Sequence, residues 1–340
     1  MIRQLLGSCL SLICLAGIAL AESPPWVLVN KTAAFAPRDS CGEVTFNGRM
    51  WIMGGWMNSF KDPPRDVWSS ADGKEWTRAS EQAPWKHSDF PMTAVFKDKM
   101  WIMGGWHGGR LDHASASNSV WSSTDGAEWK LEVEAAGWSP RMCGGLVVHN
   151  DRMWVMGGTR KYYFGNDDDL LNDVWSTADG VTWEQATEKA PWSSRAYIAP
   201  VVLNGKMYVF AGGNYLPNPA FANDVWSSAD GKEWTQETEH APWAPRIWFT
   251  SAVYRDHMWI MGGWSKGPGT PPRHGGNFGD TWYSADGKTW KEYQTDVVWA
   301  QRHEHSTYVF QDKLWVVTGM TPPLNNEVWS LDLPQDWKGE

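Results

Sequence analysis

A unit of about 50 residues recurs along this chain, and that repeat limits its fold more than any other feature. The unit is clearest over residues 50–76. An apolar run, Met50-Trp51-Ile52-Met53, ends in Gly54-Gly55, and a polar loop follows. Then come Asp66-Val67-Trp68, the turn Ser70-Ala71-Asp72-Gly73, and Trp76. The first glycines of the equivalent pairs are Gly54, Gly104, Gly157, Gly212 and Gly262, with Thr318 of Thr318-Gly319 in the sixth place. The gaps are 50, 53, 55, 50 and 56 residues. Short apolar runs separated by turn residues cannot bury a core one unit at a time, but units stacked around an axis can. The period and its contents predict an all-β, six-bladed β-propeller with four antiparallel strands, a to d, in each blade.

The aromatic register supports this. Strand b carries Trp51, Trp101, Trp154, Tyr208, Trp259 and Trp315; strand c carries Trp68, Trp121, Trp175, Trp226, Trp282 and Trp329. A d-type Trp lies eight residues after each strand-c Trp, and one more, Trp26, precedes the first unit. The connection from d to the next a strand holds Trp85, Trp138, Trp192, Trp243 and Trp299. Trp56, Trp106 and Trp264 follow Gly pairs, so of the 27 Trp only Trp248 stands outside every column. An aromatic repeated at the same place in each blade is best read as blade-to-blade packing. Asn47-Gly48 and Asn204-Gly205 suit two-residue hairpins between a and b. Asp72, Asp125, Asp179, Asp230 and Asp286 suit turns held by side chain to backbone bonds. Seven d-type Trp for six blades leave one surplus segment. Residues 26–29 are expected to complete the last blade and close the ring, which removes the exposed sheet edges.

The pattern resembles the kelch family over essentially the whole chain after residue 21. The Gly pairs, the strand-c aromatic and the strand-d Trp carry the resemblance, and Arg302-His303-Glu304-His305-Ser306 matches the family's Arg-x-x-His-Ser. Trp in place of Tyr on strand c, and Thr318 in a Gly pair, are departures. The propeller is similar to the central domain of galactose oxidases. In architecture and length it is similar to the periplasmic six-bladed sialic-acid mutarotases.

Residues 1–21 read as a secretory signal: Arg3, an apolar run over 5–20, and Ala19-Leu20-Ala21 as the cleavage site. The expected organisation is a signal peptide, 1–21, and a single propeller, 22–340, secreted or periplasmic and without a membrane span. Arg3 is the only charged residue of the leader, so its removal takes the formal charge from −9 to −10. Such an acidic chain is not a nucleic-acid binder by charge. Of the four Cys, only Cys41 and Cys143 lie beyond the leader.

The long, variable connections all join b to c: 57–65, 107–118, 159–172, 214–223 and 265–279. They share a face with the d-to-a connections, and binding residues favour such loops on a rigid frame. The site is therefore expected at the channel mouth on that face. Thirteen residues before each strand-b aromatic stand Arg38, Ser88, Arg141, Arg195, Arg246 and Arg302. The kelch resemblance implies that this column points into the central pocket, where guanidiniums would take a carboxylate, phosphate or sulfate. The alternative is that each Arg pairs with a local Asp or with backbone carbonyls. The next two positions break the repeat: Asp39-Ser40, Asp89-Phe90, Met142-Cys143, Ala196-Tyr197, Ile247-Trp248 and His303-Glu304. There Trp248 would stack on a sugar ring, and Glu304, Tyr197, His303 or Asp39 would carry protons. No Gly-x-Gly-x-x-Gly after a strand, P-loop, His-Glu-x-x-His or Gly-x-Ser-x-Gly is present, and no cofactor or metal is expected. His303 with His305, and the acidic run 166–169, are weak metal patterns. The sequence thus points to a propeller binding a polar or anionic ligand, a glycan or sugar acid, through the Arg column. Two alternatives stand beside it: a sialic-acid-type mutarotase or epimerase, and a protein-interaction propeller.

Overall fold

The computed structural model describes residues 23–162, 165–215, 218–266 and 276–339; the signal peptide expected over 1–21 lies outside the described residues. Six four-stranded antiparallel sheets form the six blades. Blade 1 runs Gly42–Phe46, Arg49–Met53, Val67–Ser70 and Thr77–Ser80 from the axis outward. Blades 2 to 5 repeat the order. Blade 6 combines Ser306–Phe310, Lys313–Val317 and Val328–Leu331 with the N-terminal strand Val27–Asn30, which pairs Val27 with Ser330 and Leu28 with Trp329. The ring closes as the surplus d segment implied. The other surplus aromatic, Trp337, forms no strand. It stacks on Trp259 of blade 5 at a centroid distance of 5.3 Å.

Each strand type follows from its residues. Strand b lies between a and c and against neighbouring blades, so the run Met50–Met53 is buried on both faces. Strand d is the outer edge, and its polar residues are exposed. All six a-to-b turns have two central residues with φ between +47° and +72°, the type I′ geometry that matches the twist of paired strands. In the c-to-d turns, Asp72 Oδ1 accepts from the backbone N–H of Lys74 and Glu75, and Ser70 Oγ accepts from that of Gly73. The same bonds recur at Asp125, Asp179, Asp230 and Asp286.

The Trp columns join the blades. The glycine of each c-to-d turn lies on the strand-b aromatic of the preceding blade: Gly73 on Trp315, Gly126 on Trp51, Gly180 on Trp101, Gly231 on Trp154 and Gly287 on Tyr208. Each d-strand Trp meets an aromatic of the d-to-a connection edge to face. Trp85–Trp129, Trp138–Trp183 and Trp192–Trp234 do so at 5.8–5.9 Å, and Phe35 takes this place against Trp76. Such pairs contribute about 0.5–1.5 kcal/mol beyond the area they bury. Among the described residues no helix is long and apolar enough to cross a membrane.

One substitution tests the turn-on-Trp contact. Gly126 has φ +75°, and a Cβ there would stand 2.2 Å from Trp51 Cζ3. Gly126→Ala should destabilise the fold by about 2–4 kcal/mol through backbone strain and overpacking together. Urea unfolding against the wild type measures it, and an unchanged midpoint would show that the blades do not meet there.

Candidate functional site

The Arg column begins strand a of every blade but the second, and each guanidinium is held inside its own blade. Arg141 donates Nε–H to Ser139 O, Nη1–H to Gly157 O at 3.0 Å and to Asp173 Oδ1 at 2.7 Å, and Nη2–H to Asp173 Oδ2 at 2.8 Å and to Ser139 Oγ. Arg38 with Asp66, Arg195 with Asp224 and Arg246 with Asp280 repeat the fork. Arg302 reaches Glu327, Asn325 and the Thr318 carbonyl. All five Arg are at most 2% exposed. The second carboxylate oxygen also accepts the strand-c indole N–H, as Asp66 does from Trp68 at 2.7 Å. Burial works to raise the carboxyls of Asp66, Asp224 and Asp280, but their guanidinium partners hold them below the usual range. In blade 2 both ends of the pair are Ser. Ser88 donates to Pro64 O, and Ser119 Oγ accepts from Trp121. The ligand role expected of Arg38, Ser88, Arg141, Arg195, Arg246 and Arg302 needs donors turned toward the axis. Here the Arg donors turn into the blades, because a carboxylate two residues before the strand-c Trp, Asp in four blades and Glu327 in the sixth, lies within reach of each Arg.

Two residues beyond each member of that column the chain turns left-handed. Ser40, Phe90, Cys143, Tyr197, Trp248 and Glu304 all have φ between +50° and +59°. Backbone bonds link them across blades: Glu304 N–H to Trp248 O, Ser40 N–H to Glu304 O, Phe90 N–H to Ser40 O, and Tyr197 N–H to Cys143 O. The six form a collar around the axis and line a cavity of about 220 Å³ within the channel. Above it, a mouth cavity of about 190 Å³ shares Ser40, Phe90, Trp248 and Glu304 with the collar. Trp56, Tyr162 and Tyr215, from the b-to-c connections, help to wall it. The divergent positions thus converge on one place.

That place is acidic. Ser40 Oγ lies 3.1 Å from Asp39 Oδ1 and 2.9 Å from Glu304 Oε2, and oxygens of the two carboxyl groups lie within 4.8 Å of each other. One hydroxyl proton serves only one of the two at a time, and burial favours the protonated form of both. Burial, then the charge of Asp39, raises Glu304 well above its ordinary value; burial, then Asp89, raises Asp39. Asp39 and Asp89 are 1% and 2% exposed, and Asp89 Oδ1 has no hydrogen-bond partner. Glu304 is only partly buried and faces the cavity. Deeper in the channel, burial pushes Glu43 up to about 8. Its backbone N–H bonds Thr93 Oγ1, and Ser306 Oγ donates to its carboxylate.

The remaining walls are aromatic. Trp248 stacks on the His303 ring at 4.8 Å and packs against Tyr215 at 4.6 Å and Tyr197 at 5.6 Å. The indole N–H groups of Trp56 and Trp248 are buried without partners. Burial lowers His303 to about 3, so it is neutral, with Nδ1 on Asn277 Oδ1. His305 does not join His303 as a chelating pair; its Nε2 bonds Thr250 Oγ1. Donor atoms of Asp39, His303 and Glu304 do lie within 4.8 Å of one another. The acidic run 166–169 forms a 3-10 turn capped by Asn166, with Asp167 bonded to Asn214. Cys41 and Cys143 are free thiols on the channel wall, raised by burial and so unreactive.

Sequence reading had singled out Trp248, Glu304, Tyr197, His303 and Asp39, and all five reach this region. It passed over Glu43, Asp89 as a site residue, and the loop aromatics. Glu43 did leave a signal. Eight residues before the strand-b aromatic stand Glu43, Thr93, Leu146, Pro200, Ser251 and Thr307, and only the first is charged.

No family model matches the chain. Among solved structures, that of YjhT is similar, with a TM-score of 0.68 and 15% identity over 88% of this chain and 96% of that chain. A likeness at this identity supports the propeller fold and leaves function to the site.

Two measurements follow from this geometry. Arg141→Ala strands the buried Asp173 carboxylate, and about 3–5 kcal/mol of stability should be lost, read by chemical denaturation. A loss under 1 kcal/mol would return the Arg column to candidacy as a ligand clamp. Glu43 binds its proton more tightly folded than unfolded. Its contribution to stability is complete below about pH 4 and disappears as pH rises toward 8. Glu43→Gln should therefore flatten the fall in Tm between pH 5 and pH 8, and parallel profiles for the two proteins would disprove a neutral Glu43.

Proposed function

We propose that this chain is an exported, kelch-like propeller that takes a neutral, polyhydroxylated ligand of the sugar class at the channel mouth. There Glu304, backed by Asp39 through Ser40, exchanges protons with it. The observation that carries the reading is the Asp39–Ser40–Glu304 group, bridged by the Ser40 hydroxyl, beside the Trp248 and Tyr215 rings. Aromatic faces take the apolar faces of sugar rings, and unpaired indole N–H groups and carboxyl oxygens take hydroxyl groups. Asp39, Asp89 and Glu304 offer a ligand carboxyl groups rather than guanidiniums, so an anion bound there would oppose their ionisation and gain no counter-charge from them. The cationic side chain on the mouth wall is Arg110, an exposed residue from the b-to-c connection of blade 2. This favours neutral sugars over sugar acids.

A carboxyl pair holding one proton contains an acid and a base together. Opening a hemiacetal ring needs a proton taken from the anomeric hydroxyl and one given to the ring oxygen. Glu304 is placed to give or take at the ligand, while Asp39 carries the complementary charge behind it. The chemistry proposed is therefore anomer interconversion of a reducing sugar, the activity class of the mutarotases that the architecture resembles.

Saturation-transfer NMR against neutral sugars and sugar acids tests binding, and exchange NMR on freshly dissolved anomers tests turnover. Neutral reducing sugars should bind, with affinity lost in Trp248→Ala. Exchange should be accelerated by the wild type and not by Glu304→Gln, which should still bind. Binding of sugar acids alone would overturn the ligand class, and equal exchange with and without protein would overturn the proton-transfer role.

A further inference from the structure

Away from the axis, on the same face, two b-to-c connections meet. One belongs to blade 1 and carries Asp62. The other belongs to blade 2, where Trp106–His107 pairs with Ser115–Ala116 and His113 lies in the link between them. His107 Nε2 lies 3.4 Å and His113 Nε2 2.9 Å from the same oxygen, Asp62 Oδ1. All three donor atoms fall within 4.8 Å of one another. Around a zinc ion with bonds of about 2.0–2.1 Å, tetrahedral ligand atoms stand about 3.3 Å apart. Both imidazole nitrogens stand at about that spacing from the carboxylate oxygen, and with all three atoms within 4.8 Å a modest side-chain adjustment lets them bind one ion.

We infer that Asp62, His107 and His113 form a binding site for a divalent transition-metal ion of the zinc type. Two His and one carboxylate suit such an ion better than calcium or magnesium, which favour all-oxygen shells. The fourth position faces solvent, because Asp62 and His113 are each more than half exposed while His107 is 18% exposed. His87 lies beside this set rather than in it. Its ring meets that of His107 edge to face at 5.7 Å, and its Nε2 bonds Ser115 Oγ.

The position of the site gives the ion a structural consequence. The two connections already touch through Arg110 N–H to Ser59 O at 2.7 Å, and Ser59 and Arg110 both line the mouth cavity. Asp62 lies three residues beyond Ser59, and His107 and His113 lie three residues either side of Arg110. A bound ion therefore clips together the two loops that form one side of the mouth. The site itself does not depend on which ligand the mouth takes.

The test uses tag-free full-length protein after chelator treatment. Zn²⁺ titrated by calorimetry should bind at one equivalent and raise Tm, and Co²⁺ should show the ligand-field bands of a tetrahedral site. Asp62→Ala and His113→Ala should each weaken Zn²⁺ binding at least about tenfold and remove the Tm shift. His240→Ala, a histidine on the far connection before blade 5, should change neither. Zn²⁺ binding that is equal in the wild type, Asp62→Ala and His113→Ala would overturn the assignment, as would the absence of stoichiometric binding to the wild type. In either case the three residues form a surface ion pair.

Discussion

The buried Arg–carboxylate pair at the start of five of the six inner strands is the contact on which the rest of the molecule depends. It ties strand a to the carboxylate before the strand-c Trp and to the carbonyl where strand b ends, as Arg38 does with Asp66 and Gly54. Three strands of a blade are thereby fixed at the end nearest the mouth. Buried ion pairs of this kind add little net stability over apolar substitutes, but removing one partner is costly. Blade 2 is consistent with that asymmetry: Ser88 and Ser119 replace both partners together, so neither charge is left alone.

The collar follows in every blade, with or without the fork. Two residues past the column the chain turns left-handed to enter strand a, at Phe90 after Ser88 as at the residues that follow each Arg. A left-handed residue other than glycine costs on the order of 1–3 kcal/mol. Six are held here by hydrogen bonds to neighbouring blades, so the frame determines their backbone and leaves their side chains free to differ. Ser, Phe, Cys, Tyr, Trp and Glu consequently occupy equivalent positions around one axis. The frame repeats where packing demands it, and the chemistry lies where packing does not.

Most of the frame was legible because each part of it is local or periodic. The Gly pairs gave the period, Asn-Gly gave the hairpins, and the surplus Trp gave the closure through 26–29. The role of the Arg column was harder, since one column has no visible partner until the fold brings strand c beside strand a. Yet Asp66, Asp173, Asp224, Asp280 and Glu327 form a second, carboxylate column that fails in blade 2, where the Arg column also fails. Two columns that break together imply contact. The mouth aromatics Trp56, Tyr162 and Tyr215, and the cluster at Asp62, lie in connections of unequal length. No periodicity places such residues, and only the folded loops bring them together.

The acidity of the mouth follows from the same separation of frame and site. A buried carboxylate normally finds a cation or gives up its charge. The arginines nearest the collar are fully committed, each to a carboxylate of its own blade. They neutralise the frame and are not shared with Asp39, Asp89, Glu304 or Glu43. Burial favours the protonated form of those four groups. The clamp that fixes each blade thus keeps its own charge out of the channel and leaves the acidity of the mouth to be met by protons, by Arg110 on its wall, or by a ligand.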